Sequence, residues 1–184
     1  MEPDSSGAPR LDTVPLPKVT LYSREQVVLD YSGPCGKGAG MYNMGNTCYL
    51  NSTLQALFYI PAFRSYLRHG DHPKDGRCPL QEDYCTICIL AATLYSTTQQ
   101  HTIKPVKVYE KLKVICKFLV HGRQEDAHEF FIYLMASLQK CYLLSYKIQH
   151  SLVLDSYSEE TTPFNQMFGG YMLQNVVCLQ CGQV

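Results

Sequence analysis

Residues 40–60 read GMYNMGNTCYLNSTLQALFYI, a glycine-flanked polar turn that runs straight into an apolar segment and delivers Cys48 at the junction. Leu50, Leu54, Leu57 and Phe58 fall at i, i+4, i+7 and i+8 and stop before Pro61, the spacing of one helix with one buried face. Asn46 and Thr47 are helix-capping residue types, and Gly45 tolerates backbone conformations that strain other residues. A thiol at a helix N-terminus lies beside unpaired backbone N–H groups and the positive end of the helix dipole, which stabilise its thiolate. Asn43, five residues upstream, can supply an amide N–H beside the backbone N–H of Cys48, a pair of donors suited to the oxyanion of acyl transfer. On the residues alone two readings stay open. Cys48 is either a nucleophile or a small apolar residue at the start of a core helix, since free cysteine is commonly buried.

The composition narrows the classes. With 46% hydrophobic residues in 184, the chain can bury a core and suits one domain or part of a larger one. Its 16 basic and 16 acidic residues create no field that favours nucleic acid or an anionic membrane. No basic and apolar leader opens the sequence, and no run approaches the roughly 18 apolar residues of a membrane span. A soluble protein of the nucleus or cytoplasm is expected, with no nucleic-acid or membrane partner. Thiols stay reduced there, so nine cysteines read as core residues, metal ligands or a reactive thiol rather than as a disulfide framework.

Residues 1–38 hold five of the ten prolines and end in a glycine-rich stretch, which predicts a flexible leader. Beyond the first helix, RHGDHPKDGRCPLQED at 68–83 predicts a loop, and Tyr84, Ile87, Cys88, Ala91 and Leu94 a second helix. A third starts at Pro105, carries Val108, Leu112, Ile115 and Leu119 on one stripe and stops at Gly122. A fourth begins near Gln124, burying Ala127, Phe130, Phe131, Leu134 and Leu138 and setting Asp126, Glu129 and Tyr133 on another face. The final stretch, MFGGYMLQNVVCLQCGQV, predicts a strand running into a Cys-x-x-Cys turn.

Three segments together carry a resemblance. GAGMYNMGNTCYLNSTLQALF resembles the Cys box of the ubiquitin-specific proteases, the papain-like cysteine deubiquitinases. GRQEDAHEFFIYLM at 122–135 is similar to the family's Q-x-D-x-x-E-F helix, and FGGYMLQNVVCLQC to its entry into the fingers subdomain. QEDAHEF and the additional Cys-x-x-Cys at 85–88 resemble the branch with testis-expressed and nucleolar members. The resemblance implies an α+β fold of papain-like thumb, palm and fingers, here the mainly helical thumb and the start of the fingers, over residues 39–184. It implies Cys48 as nucleophile, Asn43 as oxyanion donor, and Asp126 and Glu129 as the acids that hold ubiquitin's Leu-Arg-Gly-Gly tail. The reaction implied is hydrolysis after ubiquitin's C-terminal glycine, with ubiquitin and ubiquitinated proteins as partners. Without the resemblance the two acids read more readily as an ordinary solvated face with a favourable acidic first turn.

The family's catalytic His and its orienting partner lie in a later block that nothing here resembles, and His128 reads as a packing or cleft residue. His69, His72, His101, His121 and His150 read as solvated. This chain is therefore expected to be an N-terminal portion that is inactive by itself. A non-catalytic ubiquitin-binding fragment, or a product with no stable fold, are the alternatives. No cofactor is expected for catalysis. Cys178 and Cys181 are half of a tetrahedral zinc site, and the resemblance implies a fingertip zinc when a second knuckle completes it. Cys85 and Cys88, with Cys78 and His72 nearby, are open to a second metal site, but their helical spacing beside Ile87 and Ala91 favours the core. Cys35, Cys116 and Cys141 read as leader or core residues.

Overall fold

A computed structural model of the chain describes residues 15–30, 37–72, 78–80, 84–172, 174 and 176–182. Cys35 and the first 14 residues of the expected leader lie outside them. The helix foreseen in the opening stretch is α1, Cys48–Phe58, with Tyr49, Leu50, Thr53, Leu54, Leu57 and Phe58 buried. Its polar residues face the other way and have work there. The Asn51 side-chain amide donates to the carbonyls of Met41 (3.4 Å) and Tyr42 (3.1 Å), and that of Gln55 to Ala39 (2.6 Å). These bonds fasten the strand β1, Gly40–Met41, which pairs in parallel with β2, Thr102–Ile103. The Cys48 turn thus starts from a strand that both β2 and α1 hold.

A helix not anticipated from the sequence follows at once. α2, Pro61–His69, has proline at its first turn, where the missing N–H costs nothing, and buries Ala62, Phe63, Tyr66 and Leu67. Ile60 before it is extended, as a residue preceding proline must be. α3, Thr86–Gln99, is the expected second helix, with Ile87, Leu90 and Leu94 buried. The expected third helix is broken into α4, Val106–Glu110, and α5, Leu112–Ile115, because Lys111 and Cys116 leave the helical conformation. Its apolar stripe survives the break: Val108, Leu112, Ile115 and Leu119 are all buried. Side-chain burial needs the right spacing, not an unbroken hydrogen-bond ladder.

The long α6, Ala127–His150, is the axis of the fold, burying Phe130, Leu134, Leu138, Cys141, Tyr142 and Ser145 along one stripe. Ala127 is exposed and Phe131 only partly buried, so the stripe starts one turn later than anticipated. α1, α3, α5 and a later short helix all pack on it. That helix is α8, Pro163–Phe168, capped by Thr162; before it comes α7, Ser156–Glu159, capped by Asp155. No strand occurs among the described residues after Phe168. A strand exists through pairing, and no described segment pairs there.

Residues 15–30 belong to the segment expected as a flexible leader; most of them are exposed, but the part around Leu21 and Tyr22 is docked on the helices. Leu21 and Tyr22 enter the core. Val19 N–H donates to Ser158 Oγ (2.9 Å), Leu21 N–H to Thr161 Oγ1 (2.8 Å) and Tyr22 N–H to the Thr161 carbonyl (3.1 Å). The Gln166 amide and the Tyr142 hydroxyl in turn donate to the carbonyls of Tyr22 (3.2 Å) and Leu21 (3.3 Å). No helix of the described residues is long and apolar enough to cross a membrane.

Candidate active site

Asn43 organises the turn before Cys48. Its Oδ1 accepts from the N–H groups of Gly45 (2.9 Å) and Thr47 (3.1 Å), which closes the loop beneath the helix. The backbone follows, with φ of 103° at Gly45 and 55° at Asn46, the left-handed region that glycine and asparagine tolerate best. The Thr47 hydroxyl accepts from Met44 N–H (2.9 Å) and is turned back into the loop, so no side chain caps α1. The first-turn N–H groups at exposed Cys48 are left available to an incoming anion. Because Oδ1 is committed, the Asn43 Nδ2 is the free end of that side chain, with no acceptor among the described residues. The turn thus holds a thiol, a backbone donor and a side-chain donor together.

The second part of the site is the start of α6. Asp126 is its N-cap rather than a residue on its face: Oδ1 accepts from His128 N–H (2.7 Å) and Glu129 N–H (3.0 Å). The bonds from Glu129 and His128 hold the Asp126 carboxyl below its ordinary range. A lowered carboxyl adds stability above the ordinary carboxylate range, and that contribution is lost as pH falls through its lowered value. Oδ2 carries no cap bond and leaves charge at the helix end. Glu129, one turn on, accepts from the Tyr133 hydroxyl (3.1 Å), and this raises the tyrosine above its ordinary value.

Three contacts bolt these parts together. Asn46 Nδ2 donates to the Gly122 carbonyl (2.8 Å), Thr53 Oγ1 reaches the Ala127 carbonyl (3.4 Å), and the Tyr49 and Phe130 rings meet edge to face at 5.4 Å. Sequence reasoning missed Asn46 as a strut, because its partner Gly122 lies 76 residues away and no local pattern signals the pair. Among the described residues no histidine hydrogen-bonds Cys48. His128 is exposed; His121 Nε2 lies 2.8 Å from the Tyr109 carbonyl; and the His150 ring lies tilted against that of Tyr146, 4.3 Å between centroids.

The other cysteines separate into two groups. Cys178 and Cys181 are exposed on a turn closed by Gly182 N–H to the Cys178 carbonyl (2.8 Å). The N–H groups of Cys181 and Gln180 hold the Cys178 thiol below its ordinary value, as suits a thiolate ligand. Among the described residues no third ligand type joins the pair. His72 is buried rather than solvated, and it draws Cys78, Cys85 and Cys88 into a cluster that could hold a metal ion. Cys85 lies in the core and Cys88 packs against it, as the helical spacing favoured, and both also face His72 and Cys78.

The helices with their small parallel sheet, and a helix-start cysteine beside an acid-capped helix, make an α+β domain of papain-like type. Over residues 39–184 the chain matches the ubiquitin carboxyl-terminal hydrolase family, and it belongs to that family, as a ubiquitin-specific protease of the branch that QEDAHEF and Cys85-x-x-Cys88 indicate. It is 44% identical over 185 residues to "Ubiquitin carboxyl-terminal hydrolase 36" of Drosophila pseudoobscura pseudoobscura, covering 98% of this chain and 17% of that protein. The proteins of the same name from Drosophila ananassae and Drosophila simulans are each 43% identical over 176 residues, covering 93% of this chain and 16% and 18% of theirs. The chain therefore spans less than a fifth of the length of these curated relatives.

Proposed function

We propose that residues 39–184 supply the nucleophile-bearing part of a ubiquitin-specific cysteine protease catalytic domain acting inside the cell, preceded by a leader over 1–38. Cys48 Sγ attacks the carbonyl of ubiquitin's terminal glycine, and the bond to the leaving amine or thiol breaks as that group takes up a proton. Water then cleaves the thioester, returning the thiol and ubiquitin's free carboxylate. The Cys48 N–H and Asn43 Nδ2 receive the oxyanion in both steps. Asp126 and Glu129 hold the arginine and backbone amides of the Leu-Arg-Gly-Gly tail, since carboxylates on one helix start match a cationic, donor-rich strand. Cys178 and Cys181 are two ligands of a fingertip zinc that further ligands would complete. The observation that carries this reading is the strut from Asn46 to Gly122, which couples the thiol's turn to the acid-capped helix.

The test is a chimera in which residues 39–184 replace the matching segment of the Drosophila pseudoobscura relative, assayed with ubiquitin–aminomethylcoumarin beside the unaltered relative. Thiol-dependent turnover by both is expected; a chimera that folds but does not turn over, beside an active relative, refutes the reading. Residues 1–184 alone are expected to give no turnover, because among the described residues no histidine bonds Cys48 to act as its base. Tight ubiquitin binding by these residues without turnover in the chimera would favour a non-catalytic binding module instead.

In the same chimera, Asp126→Asn keeps the helix cap and Glu129→Gln keeps an acceptor for Tyr133, so each removes charge alone. Each is expected to lower kcat/KM by roughly 10- to 100-fold, the scale of a lost charge-assisted hydrogen bond, mainly through KM. Unchanged KM in both would remove the acids from the tail-binding role.

A further inference from the structure

His72 lies just beyond the end of α2, Cys78 follows 6 residues later, Cys85 is the N-cap of α3 and Cys88 stands in its first turn. All but Cys88 are buried, and Cys88 is half-buried. Their donor atoms all lie within 4.8 Å of one another. His72 Nε2 is 3.4 Å from Cys78 Sγ, 3.3 Å from Cys85 Sγ and 3.4 Å from Cys88 Sγ. An imidazole nitrogen offers one proton or one lone pair, so hydrogen bonding accounts for one of these approaches and leaves two without a cause. Three sulfurs equidistant from one nitrogen are the base and apex of a tetrahedron. With metal–sulfur bonds of about 2.3 Å and a metal–nitrogen bond of about 2.0 Å, the nitrogen–sulfur edge comes to about 3.5 Å, close to the three observed distances.

We propose that His72, Cys78, Cys85 and Cys88 form a closed structural zinc site of three thiolates and one imidazole. The donor set selects zinc over magnesium or calcium, which take oxygen ligands. Binding releases one proton from each thiol, and the neutral imidazole gives its Nε2 lone pair, so no redox partner is needed. Four protein ligands fill the coordination sphere, which makes the ion structural rather than catalytic. Cys141 of α6 accepts from Thr86 N–H (3.4 Å), the residue that follows Cys85, and so braces the start of α3 from outside. The ion ties the end of α2 and the stretch around Cys78 to the start of α3, which packs in turn on α6. It does not depend on the hydrolase reading, because it uses none of the residues assigned to catalysis.

The test uses the 184-residue chain carrying Cys178→Ser and Cys181→Ser, so that the exposed pair contributes nothing, and the chimera with the same two changes. Elemental analysis after dialysis is expected to give one zinc per chain, falling to near none with Cys88→Ser. Cobalt(II) in place of zinc should show the visible bands of a tetrahedral site. His72→Cys guards against simple misfolding: it is expected to retain the metal and to raise thiolate-to-cobalt absorption by about one third, as four thiolates replace three. A zinc content that Cys88→Ser leaves unchanged overturns the site, as does a cooperatively melting chain that holds no zinc. So does a His72→Cys variant whose cobalt spectrum is that of the parent.

Discussion

Cys48→Ala in the chimera is expected to abolish turnover, by roughly 10⁶-fold, the scale seen when a triad's nucleophile is removed. The size of the effect follows from chemistry: with no sulfur there is no thioester, and what remains is water attack assisted by the oxyanion donors alone. The structure makes the experiment clean. Cys48 is exposed at the first position of α1, makes no hydrogen bond through sulfur among the described residues, and is replaced by a strong helix former. The melting transition should stay where it was. Activity within tenfold of the parent, at an unchanged melting temperature, would return Cys48 to the reading of an ordinary helix-start residue.

Asn43→Asp is expected to lower kcat by about 10²- to 10³-fold, the scale of one oxyanion donor, with little change in KM. Alanine would be ambiguous here, because Asn43 Oδ1 also holds Gly45 and Thr47, and its loss would loosen the whole turn. Aspartate keeps an oxygen for those two N–H groups and turns only the outer end from donor into anion. An anion facing an oxyanion repels it, so the loss belongs to the transition state. The pair to compare is therefore the kinetic loss and the melting temperature: a fall in kcat with stable folding supports the donor role. Full activity in Asn43→Asp would show that the backbone N–H groups of α1 suffice.

Much of this was legible because it is local. The run from Asn43 to Phe58 contains its own turn, its own helix start and its own buried stripe, and each rests on residues at most a few positions apart. Even the roles of Asn51 and Gln55 follow once β1 is seen to lie alongside α1. What stayed hidden depends on partners distant in sequence. His72 sits among turn residues, and nothing in its neighbourhood says that it folds inward onto the start of α3. The apolar stripe of residues 108–119 was read correctly as buried and incorrectly as one helix, because spacing reports which side chains turn inward and is silent about the breaks at Lys111 and Cys116. Asp126 was placed among the acids of the cleft by resemblance. That it also caps α6, and so has one oxygen committed before any ligand arrives, emerges only from geometry.

The docked segment around Leu21 and Tyr22 carries a consequence for order of assembly. Its hydrogen bonds reach Ser158, Thr161 and Gln166 across separations of 139, 140 and 144 residues, whereas the strut from Asn46 to Gly122 closes over 76. During synthesis this segment emerges well before Ser158, Thr161 and Gln166, so it docks only after they have followed it. The turn that presents the thiol is set earlier, once the stretch leading into α6 has followed it. Until α6, α7 and α8 are in place, Leu21 and Tyr22 have no surface to bury against, so the segment is a late arrival that seals helices already packed.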